Sequence, residues 1–134
     1  MTATLVDSDV ILDVATDDAS WSARSAAALG RAADSGPLVV NPIVYAEVSI
    51  GFATIEALQV ALPPDVFVRE DLPWTAAFLA GKAFLGYRRK GGAPRSPLPD
   101  FYIGAHAAVS GHKLLTRDAR RYRTSFPTVE LVTP

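Results

Sequence analysis

Apolar residues recur along this chain in two rhythms. The runs "TLV", "PLVV", "VFVR", "KLLT" and "VELV" are short and scarcely alternate with polar residues, the pattern of brief strands buried on both faces. Between them lie longer stretches with helical spacing. "ASWSARSAAALGRAADSG" is rich in alanine, offers Ser20 or Ser22 as an N-cap and stops at Gly36-Pro37. Asn41-Pro42 opens "NPIVYAEVSIGFA" with a good N-cap and a proline at the first helical position. A helix around 54–62 ends at Pro63-Pro64, a longer one runs from Pro73 to about Lys90, and "DFYIGAHAAVSG" ends at Gly111. "RDARRYR" suits one short helix more. The glycines and prolines of "GGAPRSPLP" predict a loop near 91–99, the segment expected to move most. Short strands alternating with helices predict an α/β fold, a short and mostly parallel central sheet flanked by helices, in one domain over residues 1–134.

The stretch "TLVDSDVILD" sits awkwardly in that pattern. An apolar strand over residues 3–7 ends in Asp7 and Asp9, and an apolar stretch carrying Asp13 follows. A carboxylate at that depth is costly unless something compensates it. The spacing therefore asks for a partner.

Composition narrows the field. Hydrophobic residues make up 49% of the 134 residues and charged residues 20%, enough apolar material for a core and too little charge for disorder. The absence of cysteine excludes disulfides and thiolate metal sites. No basic-then-apolar leader and no long uncharged apolar run appear, so a soluble, cytoplasmic protein without a membrane partner is expected. The net charge of −1 hides a division: residues 1–81 carry eleven acids against three bases, and residues 82–123 carry ten bases against two acids, Asp100 and Asp118. Such asymmetry marks a polyanion-binding surface or, more simply, basic residues solvating two helices.

Ligands in open α/β sheets bind outside the carboxyl ends of the strands. Asp7 ends the first strand. Asp118 follows "KLLT" by two residues, in the first turn of the next helix, and Asp100 lies in the first turn of the helix leading into that strand. Acids also favour first turns because of the helix dipole, so singly Asp100 and Asp118 read as helix-start residues. Glu47 is the only charge between Ser35 and Ile55, in an apolar helix. It is paired with a base, set on a narrow solvent-facing strip, or functional. Carboxylates gathered without cysteine and with few histidines suit hard cations such as Mg²⁺ or Mn²⁺, which keep several waters and leave positions for phosphate oxygens. Acids that bind metal, ringed by bases that bind phosphate, describe a nuclease better than a sugar or peptide hydrolase. His106 and His112 read as structural or surface residues, and Trp21 and Trp74 as packing aromatics. Ser8 and Thr116, beside the acids, orient a carboxylate or water or serve as caps.

These pieces resemble the PIN-domain ribonucleases, and most closely the VapC-like toxins of prokaryotic toxin–antitoxin pairs. "LVDSDVILD" is similar to the family's opening strand, "NPIVYAEV" to the helix with its glutamate, and "LPDFYIGAHAAVSGHKLLTRDARRY" to its acidic helix, strand and Thr-x-Asp segment. The resemblance implies that Asp7, Asp100 and Asp118 hold Mg²⁺ or Mn²⁺ and that Glu47 helps hold the ion or orients the attacking water. It places Ser8, Asp9 and Thr116 in support; Asp9 departs from the family's usual Asn or Ser. It further implies an RNA substrate, a VapB-like antitoxin partner, a homodimer, and contact with DNA only through the antitoxin. Arg88, Arg89, Lys90 and Arg95 are expected along the RNA, with Arg117, Arg120 and Arg121 second. Two other readings compete. Asp-x-Asp after a strand also opens haloacid-dehalogenase-like phosphatases, with Asp7 as nucleophile and Lys113 as the supporting lysine. A non-catalytic RNA- or protein-binding PIN module is the other.

Overall fold

The computed structural model describes residues 1–91 and 98–134; Arg95 and most of the expected Gly/Pro loop lie outside the described residues. In chain order the elements are β1 (Thr4–Val6), α1 (Ser8–Ala15), α2 (Ser22–Ser35), β2 (Leu38–Val40), α3 (Pro42–Ser49) and α4 (Ile55–Ala61). They continue with β3 (Phe67–Arg69), α5 (Trp74–Arg89), α6 (Leu98–Ser110), β4 (Lys113–Leu115), α7 (Ala119–Arg123) and β5 (Leu131–Val132). The five strands form one sheet in the order β3-β2-β1-β4-β5, and every pairing is parallel. Among the described residues no helix is long and apolar enough to cross a membrane.

The strands are short because their apolar runs are short. Leu5, Val6, Val39, Leu114 and Leu115 are almost wholly buried, as expected of strands covered on both faces. Helices then cover the sheet, α5 and α6 packing on one another through Phe84, Tyr87 and Phe101, whose rings meet 5.4–5.5 Å apart. Asn41 caps α3 as its sequence suggested, accepting from Val44 N at 2.9 Å.

Two local expectations change. Residues 8–15, an apolar stretch with no assigned element, form α1: Val10, Ile11 and Asp13 share its buried side, and Asp7 stands at its N-cap. Neither Ser20 nor Ser22 caps α2. The chain enters that helix through Trp21, which makes no side-chain cap bond, while Asp18 Oδ1 accepts from the backbone N–H groups of Ser20 and Trp21 at 2.9 Å each. The acid closes an Asx-type turn one step earlier than the serines would have.

What this order does for function is simple. From β1 the chain moves outward to β2 and β3, then returns to lay β4 on the other side of β1. The reversal leaves a crevice beyond the carboxyl ends of β1 and β4. Asp7 and Thr116 are the first residues past those two ends, and Asp7 N still donates to Leu115 O at 2.9 Å.

Candidate active site

Asp7 is 4% exposed, and its partners are neutral. Oδ1 accepts from Ser8 N at 2.8 Å, and Oδ2 accepts from Thr116 Oγ1 and Tyr122 OH, both at 2.9 Å. The donor directions are fixed. Thr116 Oγ1 itself accepts from Asp118 N at 3.0 Å, which leaves its proton for Asp7. Burial first, then the nearby Asp7 and Asp100, push the Tyr122 hydroxyl well above the ordinary tyrosine range, so it stays protonated and donates. Two donors fill Oδ2 and one sits on Oδ1, so one lone pair of Oδ1 remains for a further partner.

Around Asp7 stand the other acids. Ser8, Asp9, Glu47, Asp100 and Asp118 line the same cleft of about 450 Å³, together with Trp21, Arg117 and Arg121. Glu47 projects from α3, and its Oε1 accepts from Ser8 Oγ at 3.0 Å. Among the described residues no base forms an ion pair with it, and it is half-buried facing the acids. Asp100 enters from the first turn of α6, as expected. Asp118 sits one position earlier than expected, at the N-cap of α7, where its side chain caps nothing. Instead Arg121 spans both acids: Nη1 donates to Asp100 Oδ2 at 3.0 Å, and Nε lies 2.8 Å from Asp118 Oδ2.

The electrostatics follow from this crowding. Burial, then Asp7 and Asp100, raise the Glu47 carboxyl above its ordinary value, against the Ser8 hydrogen bond. Burial also raises Asp100, with Asp7 and Asp118 adding to it and Arg121 opposing. Asp9 is pushed up to about 7, by burial first and by Asp7 second. Burial works to lower Arg121, but Asp100, Asp118 and Asp7 hold it above its ordinary value. The cleft is short of positive charge.

Of the bases expected along a polyanion, Arg117 and Arg121 lie inside the cleft. Arg117 Nη1 is 3.4 Å from Oδ1 of the buried Asp13, whose Oδ2 accepts from Ser25 Oγ at 2.7 Å. Asp13 thus has the basic partner its depth demands. Lys90, Arg120 and Arg121 line an adjoining cleft that shares Asp100 with the first. Arg88 lies over the Phe84 ring, 5.8 Å from its centroid, and Arg89 is exposed on the same last turn of α5. Lys113 begins β4, pairs with Glu130 at 3.6 Å and aligns with Thr4, at the end of the sheet away from Asp7. The phosphatase reading loses its lysine there.

Tyr122 is a site residue with no counterpart among the sequence expectations, and the two tryptophans depart from their expected role as packing aromatics. Tyr122 looks like any aromatic in a short helix; its contact with Asp7 is long-range and has no local signal. Trp21 lines the acidic cleft and is no packing aromatic, and Trp74 is 91% exposed. The histidines form a separate network. Asn41 Oδ1 is taken by Val44 N–H, so its amide NH₂ faces His106 Nδ1 at 3.0 Å. His106 must then carry its proton on Nε2 and donate to Glu70 Oε1 at 3.1 Å, where His112 Nε2 also lies at 2.8 Å. A metal on His106 Nε2 would force two donors together at Asn41. Glu70, His106 and His112 lie within ligating distance of one another, yet they serve here as a hydrogen-bonded tie among α3, α6 and β3.

Comparison with known proteins matches this architecture. A model of the PIN domain family fits residues 4–127. The chain belongs to the PIN domain family. Solved structures similar to this PIN domain include VapBC2 from Rickettsia felis bound to a fragment of its promoter DNA, at 18% identity and a TM-score of 0.74 over 98% of both chains. DNA-bound VapBC from Salmonella typhimurium is similar at 19% identity and a TM-score of 0.71, over 99% of this chain and 98% of that one. A toxin–antitoxin complex from Klebsiella pneumoniae follows at 21% and 0.69, over 98% and 97%. Among curated proteins none matches significantly. At these identities the likeness is one of fold.

The acids of this PIN domain have the ligand chemistry of a hard divalent cation, although among the described residues the only three ligating side chains with donor atoms all within 4.8 Å of one another are Glu70, His106 and His112. The donors in the cleft are carboxylate oxygens, the histidines stand elsewhere, and Arg121 between Asp100 and Asp118 marks the pair as one that takes a cation between its members.

Proposed function

We propose that this PIN domain is a Mg²⁺- or Mn²⁺-dependent endoribonuclease, the VapC-like toxin of a type II toxin–antitoxin pair. The reading rests above all on the convergence of Asp7, Glu47, Asp100 and Asp118, drawn from four separate parts of the chain into one cleft. Family membership and the VapBC identity of the similar structures support it.

Asp7, through the open lone pair of Oδ1, and Asp100 would hold the ion, with Asp118 assisting directly or through water. When bound, such an ion lowers the cost of charge growing on the phosphate and of deprotonating water. Glu47, held by Ser8 Oγ at the edge of the acids, orients the attacking water or takes its proton. Ser8 holds Glu47 in place through Oγ, and Thr116 ties Asp118 to Asp7. Arg117, Arg120, Arg121 and Lys90 would meet the RNA phosphates, with Arg88 and Arg89 beyond them; Arg95, also expected along the RNA, lies outside the described residues. A VapB-like antitoxin and a second copy of this chain complete the proposed assembly in the cytoplasm, with DNA contacted through the antitoxin.

The decisive assay is cleavage of an RNA panel by purified protein, with Mg²⁺, with Mn²⁺ and with chelator, beside Asp7→Asn. Cleavage that needs the ion and disappears in the variant is the expected result. Equal cleavage by the variant at matched purity removes the mechanism, and metal-independent RNA binding without cleavage supports a non-catalytic module.

A further inference from the structure

Trp21 occupies a position that neither helix capping nor core packing explains. It stands at the N-cap of α2, a position that favours Ser, Thr, Asn or Asp, and its side chain caps nothing. It does not pack against the hydrophobic core. It lines the cleft with the four acids, held there by the turn that Asp18 closes through the Ser20 and Trp21 N–H groups.

Two guanidiniums lie over its ring. Arg117 stands 4.9 Å from the centroid and is anchored: it pairs with buried Asp13, and its backbone N–H reaches Asp9 at 3.4 Å. Arg24 stands 4.2 Å from the centroid, and among the described residues no carboxylate pairs with it. The ring thus has one fixed cationic neighbour and one that the ring alone holds. An indole beside a scissile phosphate, flanked by arginines, is the combination that takes unstacked bases of single-stranded RNA.

We infer that Trp21 is a specificity-determining residue that stacks the nucleobase next to the cleaved phosphate, in the place Arg24 now occupies. The inference rests on the ribonuclease reading and assigns that substrate a single-stranded, unpaired base at the cut. Arg24, displaced from the ring, turns to a neighbouring phosphate, while Arg117 keeps the indole in place. Stacking reads size and π-face more than hydrogen-bonding edges, so the preference is for large bases over small ones, without strict sequence identity.

The test uses the full chain with Trp74→Phe as background, so that Trp21 is the sole tryptophan. Short single-stranded RNA oligonucleotides are titrated in chelator, and fluorescence is read; the expected result is strong quenching of Trp21. Separately, Trp21→Ala should bind labelled RNA roughly tenfold or more weakly, and Trp21→Phe only a few-fold more weakly. With Mn²⁺, Trp21→Ala should also change the ranking of cleavage sites, and Trp21→Phe should keep it. Circular dichroism and melting temperature confirm that the variants are folded. Unquenched Trp21 at saturating RNA, or a Trp21→Ala that binds and cuts every site as the parent does, overturns the inference while leaving the ribonuclease reading intact. A parent protein that cuts no RNA removes that reading and, with it, this inference.

Discussion

Tyr122 reaches across 115 positions of sequence to donate its hydroxyl to Asp7 Oδ2 at 2.9 Å. It heads the largest fully buried side chains, so α7 is fastened to the end of β1 through the carboxylate proposed to carry the chemistry. Tyr122→Phe keeps the ring and deletes the bond. Hydrogen bonds to charged groups contribute about 1.5–3 kcal/mol, and a melting temperature lower by roughly 5–10 °C is expected. Residues that orient a ligating carboxylate are worth about 10–100-fold in activity or metal affinity. RNA cleavage should fall by a factor in that range, and Mn²⁺ titration by calorimetry should show weaker binding. A variant with parental melting temperature and parental affinity would remove Tyr122 from this role.

Arg121 bridges Asp100 and Asp118 from a side chain that is 52% exposed. A divalent ion held by these acids as proposed would compete with it for the same oxygens. Arg121→Ala should therefore melt lower than the parent in chelator, where the acids lose their counter-charge. On adding Mn²⁺ its melting temperature should rise further than the parent's, because the ion no longer displaces a guanidinium. Differential scanning fluorimetry across a Mn²⁺ series measures both. An identical Mn²⁺ response in the two proteins would show that Arg121 does not compete.

Much of this was legible along the chain. The five strands, the long helix from Pro73 and the cap at Asn41 follow from apolar runs, proline and glycine stops and one asparagine. Local signals carry such features. Glu47 stood out because nothing near it in sequence excuses a charge. What escaped were features decided at a distance. α1 hid because Val10 and Ile11 are β-branched and suit a strand equally well; Asp7 at its N-cap and packing against α2 and α3 settle the matter. The arginines could be counted but not placed, since pairing Arg117 with Asp13 and Arg121 with Asp100 takes the folded chain. Trp21 and Tyr122 gave no signal because an aromatic beside a carboxylate looks, in one dimension, like an aromatic in a core.

Asp9 makes the metal-free protein sensitive to pH. Its carboxyl is held at about 7 in the fold against 3.8 for the ordinary group. Between those values the folded state binds more protons than the unfolded state, so its contribution makes stability fall as pH rises through about 4 to 7. Glu47 and Asp100, also raised, add to the same trend. Asp9→Asn removes one part of it. In chelator the variant should match or exceed the parent in urea stability above pH 7, and the difference should shrink toward pH 4. A parent that is stabilised between pH 4 and pH 7 relative to Asp9→Asn would reverse the sign and refute the assignment.

Two helical glycines should respond oppositely to alanine. In an exposed helix interior alanine is favoured over glycine by about 1 kcal/mol. Gly81 in α5 is exposed, and a Cβ there meets nothing within 4 Å, so Gly81→Ala should gain close to that amount. Gly104 in α6 is buried, and a Cβ there runs into Cδ2 and Cε2 of Phe126. Phe126 is 3% exposed and packs edge-on to Phe101, with centroids 6.3 Å apart, so its ring has little room to retreat. Overpacking of this kind costs about 1–3 kcal/mol and outweighs the helical preference. Gly104→Ala should lower the urea midpoint, and Gly81→Ala should raise it. Since Phe101 adjoins Asp100, the same strain should reach the acids: Gly104→Ala is expected to cut RNA more slowly than Gly81→Ala when both are assayed well below their melting temperatures.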